Sequence, residues 1–170
     1  MPQKDKSLRE SIIKMTALDE LHEVYNRNNI DYELYKDKFS LKTANSGVAE
    51  YGIKLSEAAP TLIIKADENI IAAIIRGDTR ISFKKLKELF KIKNIRLVTE
   101  EEIYNLTGAK IGEVSLINKD IKTLIDEKVL EKKYIYGGCG IANHTLKIKV
   151  IDLIKITKAT VSDFTNLKRL

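Results

Sequence analysis

A cysteine and a histidine lie close together near the end of the chain, as a nucleophile and its base can. Cys139, Asn143 and His144 fall within five positions of one another, and a thiol beside an imidazole can attack a carbonyl. Nucleophile and base normally come from separate elements, however, and a cysteine in a Gly-Gly-Cys-Gly turn is equally well explained as a small residue in a tight corner. We therefore take His144, at the entrance of a predicted strand, as the better single candidate, with a structural histidine as the alternative.

A glycine-punctuated loop over 107–118 is a second candidate. Gly108 and Gly112 are four residues apart, and Ser115 follows. This spacing can bring bare amides close to a ligand oxygen. The loop lacks the lysine and the Ser/Thr of a nucleotide-binding P-loop and the flanking pattern of a dinucleotide fold. A purely structural turn is the alternative interpretation.

Charged residues gather in a third stretch. Gly77, Asp78 and Arg80 follow a predicted strand and bring paired charges to a sheet edge. The next predicted helix carries four lysines: Lys84, Lys85, Lys87 and Lys91. A lysine face of this kind can contact phosphates, whereas a solvated helix exterior is the more ordinary interpretation.

Composition limits the class of protein. The 170 residues suffice for one domain with one core, and the net charge of +6 indicates a polyanionic partner only weakly, because acidic residues are interleaved with the basic ones. With one cysteine and two histidines, neither an internal disulfide nor the usual Cys/His zinc site can be assembled, so no metal or cofactor is expected. The chain shows no signal-like leader and no apolar run of membrane length, so we expect a soluble, cytoplasmic protein without a membrane partner.

The elements that must position these residues are organised around a predicted hairpin. Two short apolar runs within 60–80 flank a polar turn at 66–69, which predicts a buried pair of strands. Ser7 with Glu10 predicts a capping box that opens an amphipathic helix. The apolar stripe of this helix is predicted to consist of Leu8, Ile12, Met15, Leu18, Leu21 and Val24. Further helices are predicted after Thr43 or Ser46, after Ser82, after Thr99 and over 152–156. Further strands are predicted over 30–35, 95–98, 123–126, 133–136, 145–150 and 159–164, with a charged turn at 36–38, a flexible corner at 137–140 and a fraying tail at 166–170.

Taken in order, these features resemble the YbaK family of aminoacyl-tRNA deacylases, which is related to the editing domain inserted in bacterial prolyl-tRNA synthetases. The resemblance covers residues from about 21 to 157 and is carried by a whole pattern. Its parts are the Ala58-Ala59-x-Thr61-Leu62 strand, the Gly77-Asp78-x-Arg80 turn with Lys84-Lys85-Leu86, Thr107-Gly108, Gly112-x-Val114-Ser115, Asp126 before a short helix, and Gly137-Gly138 followed by His144 and Leu146-x-Ile148.

The resemblance implies an α+β fold: a single compact domain with a mixed β-sheet flanked by helices. It divides the chain into an N-terminal helical extension over 1–20, continuous with the domain, and an editing domain over 21–165. It implies a hydrolase that removes a mischarged amino acid from tRNA by cleaving its ester, without a metal, and so serves translation fidelity. The implied partners are the acceptor end of aminoacyl-tRNA and an aminoacyl-tRNA synthetase.

The resemblance also assigns roles to residues. In the family, backbone amides of a Gly-x-x-x-Pro loop and a lysine beside the central strand orient the scissile carbonyl and the terminal adenosine. Carried over to this chain, the catalytic positions are His144, Thr61 and Gly112, and the substrate-binding positions are Asp78, Arg80, Ser115, Gly138, Lys84 and Lys85.

Two positions depart from the family pattern. Pro60 stands where the family has its lysine, and Leu116 where the loop has its proline. Proline offers neither a charge nor an amide donor, so Lys54 or Lys65 would have to supply a positive charge from elsewhere. The alternative to an editing hydrolase is therefore a binding module for a tRNA end, a small ligand or a protein. A cysteine hydrolase built on Cys139 and His144 is a third interpretation.

Overall fold

The computed structural model describes residues 3–38 and 43–169. Its helices are α1 Gln3–Arg27, α2 Ala44–Tyr51, α3 Phe83–Phe90, α4 Glu100–Thr107 and α5 Val150–Thr157, with 3-10 turns at Leu55–Glu57 and Glu127–Glu131. Its strands are β1 Tyr32–Lys36, β2 Thr61–Ala66, β3 Asn69–Ile74, β4 Thr79–Ile81, β5 Ile95–Leu97, β6 Lys122–Asp126, β7 Tyr134–Gly138, β8 His144–Lys149, β9 Thr160–Ser162 and β10 Thr165–Leu167. Among the described helices, none has the length and apolar character needed to cross a membrane.

The strands form two larger sheets and one short ribbon. The five-stranded sheet, in the order β5-β2-β3-β6-β9, is mixed: β2 is antiparallel to both its neighbours, and β6 is parallel to both of its own. The three-stranded sheet, in the order β1-β8-β7, is antiparallel. β4 and β10 pair as a two-stranded ribbon. The predicted α+β fold with a mixed sheet is confirmed.

The predicted central hairpin is confirmed as β2 and β3. The two strands pair from Thr61 opposite Ile74 to the turn, where Asp67 adopts a left-handed φ of 51° that aspartate tolerates. Ile64 packs in one apolar cluster and Ala72 in another. Both faces of the hairpin are therefore covered, which explains why its strands read as continuous apolar runs rather than as alternating ones.

Three of the predicted helix starts are confirmed. The side chains of Thr43, Ser82 and Thr99 each accept a hydrogen bond from the amide three residues further on, at the start of α2, α3 and α4. Each satisfies an amide that the first helical turn leaves without a partner. α2 then ends at Gly52, whose φ of 63° is left-handed, as its glycine predicts.

The predicted start of the first helix is wrong. α1 already runs from Gln3, so Ser7 lies inside it and does not cap it. Leu18 and Leu21 pack against the core, whereas Leu8 is 61% exposed. Val24, in the last turns of the helix, is also exposed, at 45%. Of the stripe residues whose side chains the structure describes, Leu18 and Leu21 therefore face the core. The side chains of Ile12 and Met15, which belong to that stripe, lie outside the described part of the chain.

The predicted corner at Gly137 and Gly138 is instead the end of β7. A Cβ on Gly137 would lie 2.7 Å from Leu116 Cδ1, and one on Gly138 would overlap the Val114 carbonyl group. Isolated bridges join Gly138 to Ser115 on the loop and Tyr136 to the segment before β2. The glycines thus let the loop and the start of β2 lie directly against β7, a use of strand glycines that the sequence reading missed.

The C-terminal tail does not fray as predicted, because β10 pairs with β4. Asp126, which is fully buried, accepts hydrogen bonds from the Phe164 amide at 2.8 Å and from the Thr165 hydroxyl at 2.9 Å. A buried carboxylate is stable only when its oxygens are satisfied in this way. Asp126 therefore holds the end of the chain against the central sheet.

Candidate functional site

A pocket of about 150 Å³ lies where the start of β2, the end of β7 and the loop after α4 meet beside α2. It is lined by Thr43, Ala44, Gly47, Tyr51, Ile53, Ala58, Ala59, Pro60, Thr61, Leu62, Ile111, Gly112, Val114, Tyr136, Gly137, Gly138 and Thr145. A space of this size admits a group about as large as benzene.

The pocket carries no charge on its described wall. No Lys, Arg, His, Asp or Glu is among the residues that line it, and its polar side chains are hydroxyls of threonine and tyrosine. Across the described side chains, no three His, Cys, Asp or Glu residues cluster closely enough to hold a metal ion. The wall can therefore hold an uncharged group and direct a few hydrogen bonds to it.

Thr61, the first residue of β2, has a hydroxyl without a partner. Its Oγ1 is the one buried side-chain polar atom of the described residues that makes no hydrogen bond. Leaving a buried hydroxyl unsatisfied costs roughly 1–3 kcal/mol, and such an atom in a folded protein calls for an explanation. Thr61 also lines the pocket, which makes its unpartnered hydroxyl a candidate contact for a bound group.

The loop over 111–116 forms a second wall and is held against β7. The Leu116 amide donates to the Gly138 carbonyl at 2.9 Å, and the Gly140 amide donates to the Glu113 carbonyl at 2.9 Å. Gly112, at the pocket, has a left-handed φ of 85°. Leu116, where the family loop has its proline, is fully buried in the core. The structure therefore brings Gly112 and Gly138 together beside Thr61.

A buried carboxylate supports the pocket from behind, and sequence reasoning missed it. Asp37 is 8% exposed and accepts hydrogen bonds from the Tyr51 hydroxyl and, at 2.7 Å, from the Thr145 hydroxyl. Burial and the neighbouring Asp37 raise the pKa of Tyr51, so its phenol stays protonated. The predicted charged turn at 36–38 is thus wrong for Asp37. Only the pairing of β1 with β8 reveals its partners, so no local signal could have found them.

His144 lies next to the pocket but does not line it. Its Nδ1 donates to the Ala142 carbonyl at 2.8 Å. Along β8, His144 shares a face with the buried Leu146, and the alternate residue, Thr145, lines the pocket instead. The placement favours the structural histidine that the sequence left open as an alternative.

Cys139 is not arranged as a nucleophile. The thiol is buried and its Sγ lies 3.8 Å from the backbone carbonyl oxygen of His144, to which it donates. Burial raises the pKa of Cys139 to about 11, so the reactive thiolate is scarce near neutral pH. The imidazole of His144 is engaged with a carbonyl group and is not the partner of the thiol. The cysteine hydrolase interpretation is therefore wrong.

The Gly77-Asp78-x-Arg80 turn lies outside the pocket. Asp78 binds Arg76 through two hydrogen bonds of 2.8 and 2.5 Å, and Arg76 also reaches Glu131 at 2.5 Å. The guanidinium holds the pKa of Asp78 below its usual range. Arg80 is exposed on β4, opposite Asn166 on β10. The ion pairs of Arg76 connect parts of the fold, and neither Asp78 nor Arg80 lines the described wall of the pocket.

The other predicted substrate contacts also lie elsewhere. Lys85 forms an ion pair with Asp163 at 3.0 Å and donates to the Thr165 carbonyl, whereas Lys84 is exposed on α3. The Ser115 hydroxyl accepts from the Ile117 amide at 3.0 Å. None of Lys84, Lys85, Ser115, Lys54 and Lys65 lines the pocket, whereas Pro60 does. Of the predicted site residues, the structure thus brings Thr61, Gly112 and Gly138 together.

Comparisons with known proteins match this architecture. The family model of the aminoacyl-tRNA editing domain matches residues 40–156. Proline–tRNA ligase of Caldicellulosiruptor bescii is 29% identical over 86% of this chain and 25% of that protein, and the enzyme of Staphylococcus aureus strain Newman is 34% identical over 59% of this chain and 18% of that protein. The chain thus spans about a quarter or less of the length of these curated relatives.

Two solved structures share the fold. The hypothetical protein APE2540 superposes with a TM-score of 0.79 at 28% identity, over 86% of this chain and 99% of that one. A candidate trans-editing enzyme for prolyl tRNA synthetase superposes with a TM-score of 0.78 at 19% identity, over 90% of this chain and 97% of that one.

Proposed function

Because the chain belongs to the aminoacyl-tRNA editing domain family, we propose that its pocket binds the aminoacyl end of a tRNA and hydrolyses the ester of a wrongly attached amino acid. The observation that carries this proposal is the unpartnered, buried hydroxyl of Thr61, a residue that lines the pocket with Gly112 and Gly138, where the described wall carries no charged side chain. A bound aminoacyl ester offers oxygen and nitrogen atoms that can complete its hydrogen bonding.

In the proposed reaction, water adds to the ester carbonyl carbon, and the bond to the ribose oxygen then breaks. Negative charge develops on the carbonyl oxygen, and preorganised donors at that oxygen lower the barrier. The amides of the loop around Gly112 and the hydroxyl of Thr61 are the proposed donors. With no Lys, Arg, His, Asp or Glu on the described wall, proton transfer falls to hydroxyl groups of the substrate or to solvent.

The size and neutrality of the pocket restrict the amino acid. A volume of about 150 Å³ suits a small side chain, and an uncharged wall would leave a charged side chain unpaired and desolvated. The proposed substrates are therefore tRNAs that carry small, uncharged amino acids. The relatives named above are proline–tRNA ligases, so a proline tRNA is one of the tRNA bodies to test.

The second candidate function is a binding module, and Pro60 favours it. Pro60 lines the pocket at the position where the resemblance places the family lysine. A proline supplies no positive charge to the developing oxyanion. In this alternative the pocket still holds the aminoacyl end but does not cleave the ester.

Release of amino acid from a panel of charged tRNAs separates the two functions. The panel contains alanyl-, cysteinyl- and seryl-tRNA on several tRNA bodies, together with the correctly charged forms. The editing proposal expects release from at least one mischarged tRNA and none from the correctly charged ones. Binding without release from any member would contradict hydrolysis and favour the binding module.

Pro60→Lys is the matched variant for this experiment. If the wild-type protein is a hydrolase that works without the lysine, the substitution fills part of the pocket and lowers activity. If hydrolysis appears only in Pro60→Lys, the natural chain is a binding module whose pocket kept its shape. His144→Ala is the control beside the pocket, because its ring does not line the wall, and we expect it to retain release.

A further inference from the structure

The outer face of the three-stranded sheet carries a group of tyrosines and lysines that has no role in the chemistry above. We call it the tyrosine–lysine face. It consists of Tyr35, Tyr51, Tyr134, Tyr136, Lys133, Lys147 and Lys149. Its four tyrosines are partly exposed, and of the described elements α2 reaches this face, through Tyr51.

Strand register places the tyrosines of β7 and the lysines of β8 on the same side. Tyr136 is opposite Lys147, and Tyr134 is opposite Lys149, across the β7–β8 pair. The intervening residues Ile135 and Ile148 point the other way and are fully buried in the core. Tyr134 and Tyr136 are two residues apart, so their side chains leave the strand roughly 7 Å from each other.

The rings are arranged as surfaces on which flat groups can stack. The ring of Tyr136 is nearly parallel to those of Tyr35 and Tyr51, at interplanar angles of 27° and 26° and centroid separations of 6.3 and 6.2 Å. Lys147 Nζ lies 5.0 Å from the centroid of Tyr134 and 5.9 Å from that of Tyr136. Aromatic rings interleaved with cations are the features by which proteins hold unpaired nucleotides.

This face continues directly into the pocket. Tyr51 and Tyr136 belong to the face and also line the pocket. A polymer whose terminal group enters the pocket would therefore pass over Tyr136 toward Tyr134. An extended chain of bases and phosphates matches both the rings and the lysines along that path.

Acidic neighbours balance much of the lysine charge on this face. Lys147 is 3.5 Å from Glu33 and Lys149 is 2.9 Å from Asp31, and the two carboxylate side chains are 55% and 59% exposed. Exposed ion pairs of this kind contribute little to stability. Their lysines can therefore turn toward a phosphate that approaches the face. Lys133, over the ring of Tyr134, adds a further cation.

We propose that the tyrosine–lysine face binds the unpaired nucleotides that adjoin the aminoacylated terminal nucleotide of tRNA, with bases stacked on Tyr134 and Tyr136 and phosphates near Lys147. The inference rests on the proposed function, since it assumes that the pocket holds the aminoacyl end. The tyrosine–lysine face would hold the tRNA outside the pocket while the aminoacyl end enters it.

The test is the affinity of the full chain for two uncharged tRNAs, one intact and one lacking its unpaired 3′ nucleotides, measured by fluorescence anisotropy. We expect the wild-type protein to prefer the intact tRNA. Tyr134→Ala, outside the pocket, should weaken binding of intact tRNA about 5- to 150-fold, the range found when one stacked base is lost, and should leave binding of the shortened tRNA unchanged. Tyr134→Phe keeps the ring and should bind as the wild type does.

Several results would overturn the proposal. Equal affinity of the wild-type protein for the two tRNAs would overturn it, because the unpaired nucleotides would then contribute nothing to binding. The proposal would also be overturned if Tyr134→Ala binds intact tRNA as tightly as the wild type, or if the substitution weakens binding of both tRNAs equally. If thermal melting shows that Tyr134→Ala is unfolded, Tyr134→Leu replaces the ring by an apolar side chain and decides by the same criteria.

The same samples separate this proposal from the proposed function. Preference for intact tRNA that depends on the Tyr134 ring, without release of any amino acid, would support the face and contradict hydrolysis. If Tyr134→Ala releases the amino acid and binds intact tRNA with wild-type affinity, the result would support hydrolysis and overturn the proposed role of the tyrosine–lysine face.

Discussion

The pocket and the charged cluster at the C-terminal end of the fold use opposite kinds of residue. The pocket wall consists of glycines, alanines, threonines, tyrosines and aliphatic side chains. The charged cluster joins Arg76 to Asp78 and Glu131, and joins Lys85 and Lys128 to Asp163. In this chain the conspicuous charged motif therefore holds parts of the fold together, whereas small, uncharged residues line the candidate site.

The largest expected effect follows from adding one methyl group to the pocket wall. In Gly138→Ala the new Cβ would overlap the Val114 carbonyl group, so β7 and the loop cannot stay together. We expect a loss of about 3 kcal/mol of unfolding free energy, at the upper end for an overpacked site, and loss of amino acid release. Thermal melting and the release assay measure the two effects.

Gly47→Ala is the matched control for stability. No atom lies within 4 Å of the added Cβ, and the residue is inside α2. Alanine is favoured over glycine in a helix by about 1 kcal/mol, so this variant should melt at a higher temperature. A destabilised Gly47→Ala, or a stable Gly138→Ala, would contradict the described shape of the wall.

A smaller effect is expected from the charged cluster, and on stability alone. Arg76→Met removes the partner of Asp78 and Glu131, which should lower the free energy of unfolding by about 2 kcal/mol. Release of amino acid, measured well below the melting temperature, should stay at the wild-type rate. A large loss of release in a folded Arg76→Met protein would show that the cluster and the site are not separate.

The same ion pair predicts a dependence of stability on pH. The pKa of Asp78 in the folded protein is lowered, chiefly by its hydrogen bond to Arg76. Its contribution is therefore fully present above the unfolded pKa of about 4 and is lost as the pH falls through the lower folded value. Asp78→Asn should reduce the loss of stability on acidification below about pH 4, measured by urea unfolding at a series of pH values. An unchanged pH profile would contradict the ion pair.

The smallest expected effect distinguishes two neighbouring lysines of α3. Lys85 is tied to Asp163 and the Thr165 carbonyl, whereas Lys84 is exposed. Because the Lys85 pair is partly exposed, Lys85→Met should cost about 0.5–1 kcal/mol, and Lys84→Met should change stability by less than about 0.5 kcal/mol. Urea unfolding of both variants tests this difference. Equal effects would contradict the separate placement of the two side chains.

Local sequence signals were sufficient for most of the fold. The hairpin follows from two apolar runs around a polar turn, and the starts of α2, α3 and α4 follow from Thr43, Ser82 and Thr99. These features depend on residues close together in sequence, so their physical cause is visible in the sequence itself.

The site was harder to predict because it depends on pairing between distant strands. The sequence predicts a corner at Gly138, because it does not show that the loop around Ser115 lies against β7 at this residue. Asp37 reads as part of a charged turn until β1 is paired with β8, which brings it to Thr145. Asp78 and Lys85 are predicted from the sequence to contact the substrate, because the sequence does not reveal which group a charged side chain pairs with.

Thr61→Val removes a hydroxyl and leaves the shape of the pocket almost unchanged, so it isolates the proposed role of that hydroxyl in releasing the amino acid. The hydroxyl has no partner within the described protein, so its removal should leave stability unchanged or raise it by up to about 1 kcal/mol. If the hydroxyl serves the aminoacyl ester, release of amino acid should fall about tenfold or more, as when one hydrogen bond to the reacting group is lost. Release at the wild-type rate from a fully folded Thr61→Val protein would contradict the proposal, because the hydroxyl that carries it would then not serve the reacting ester.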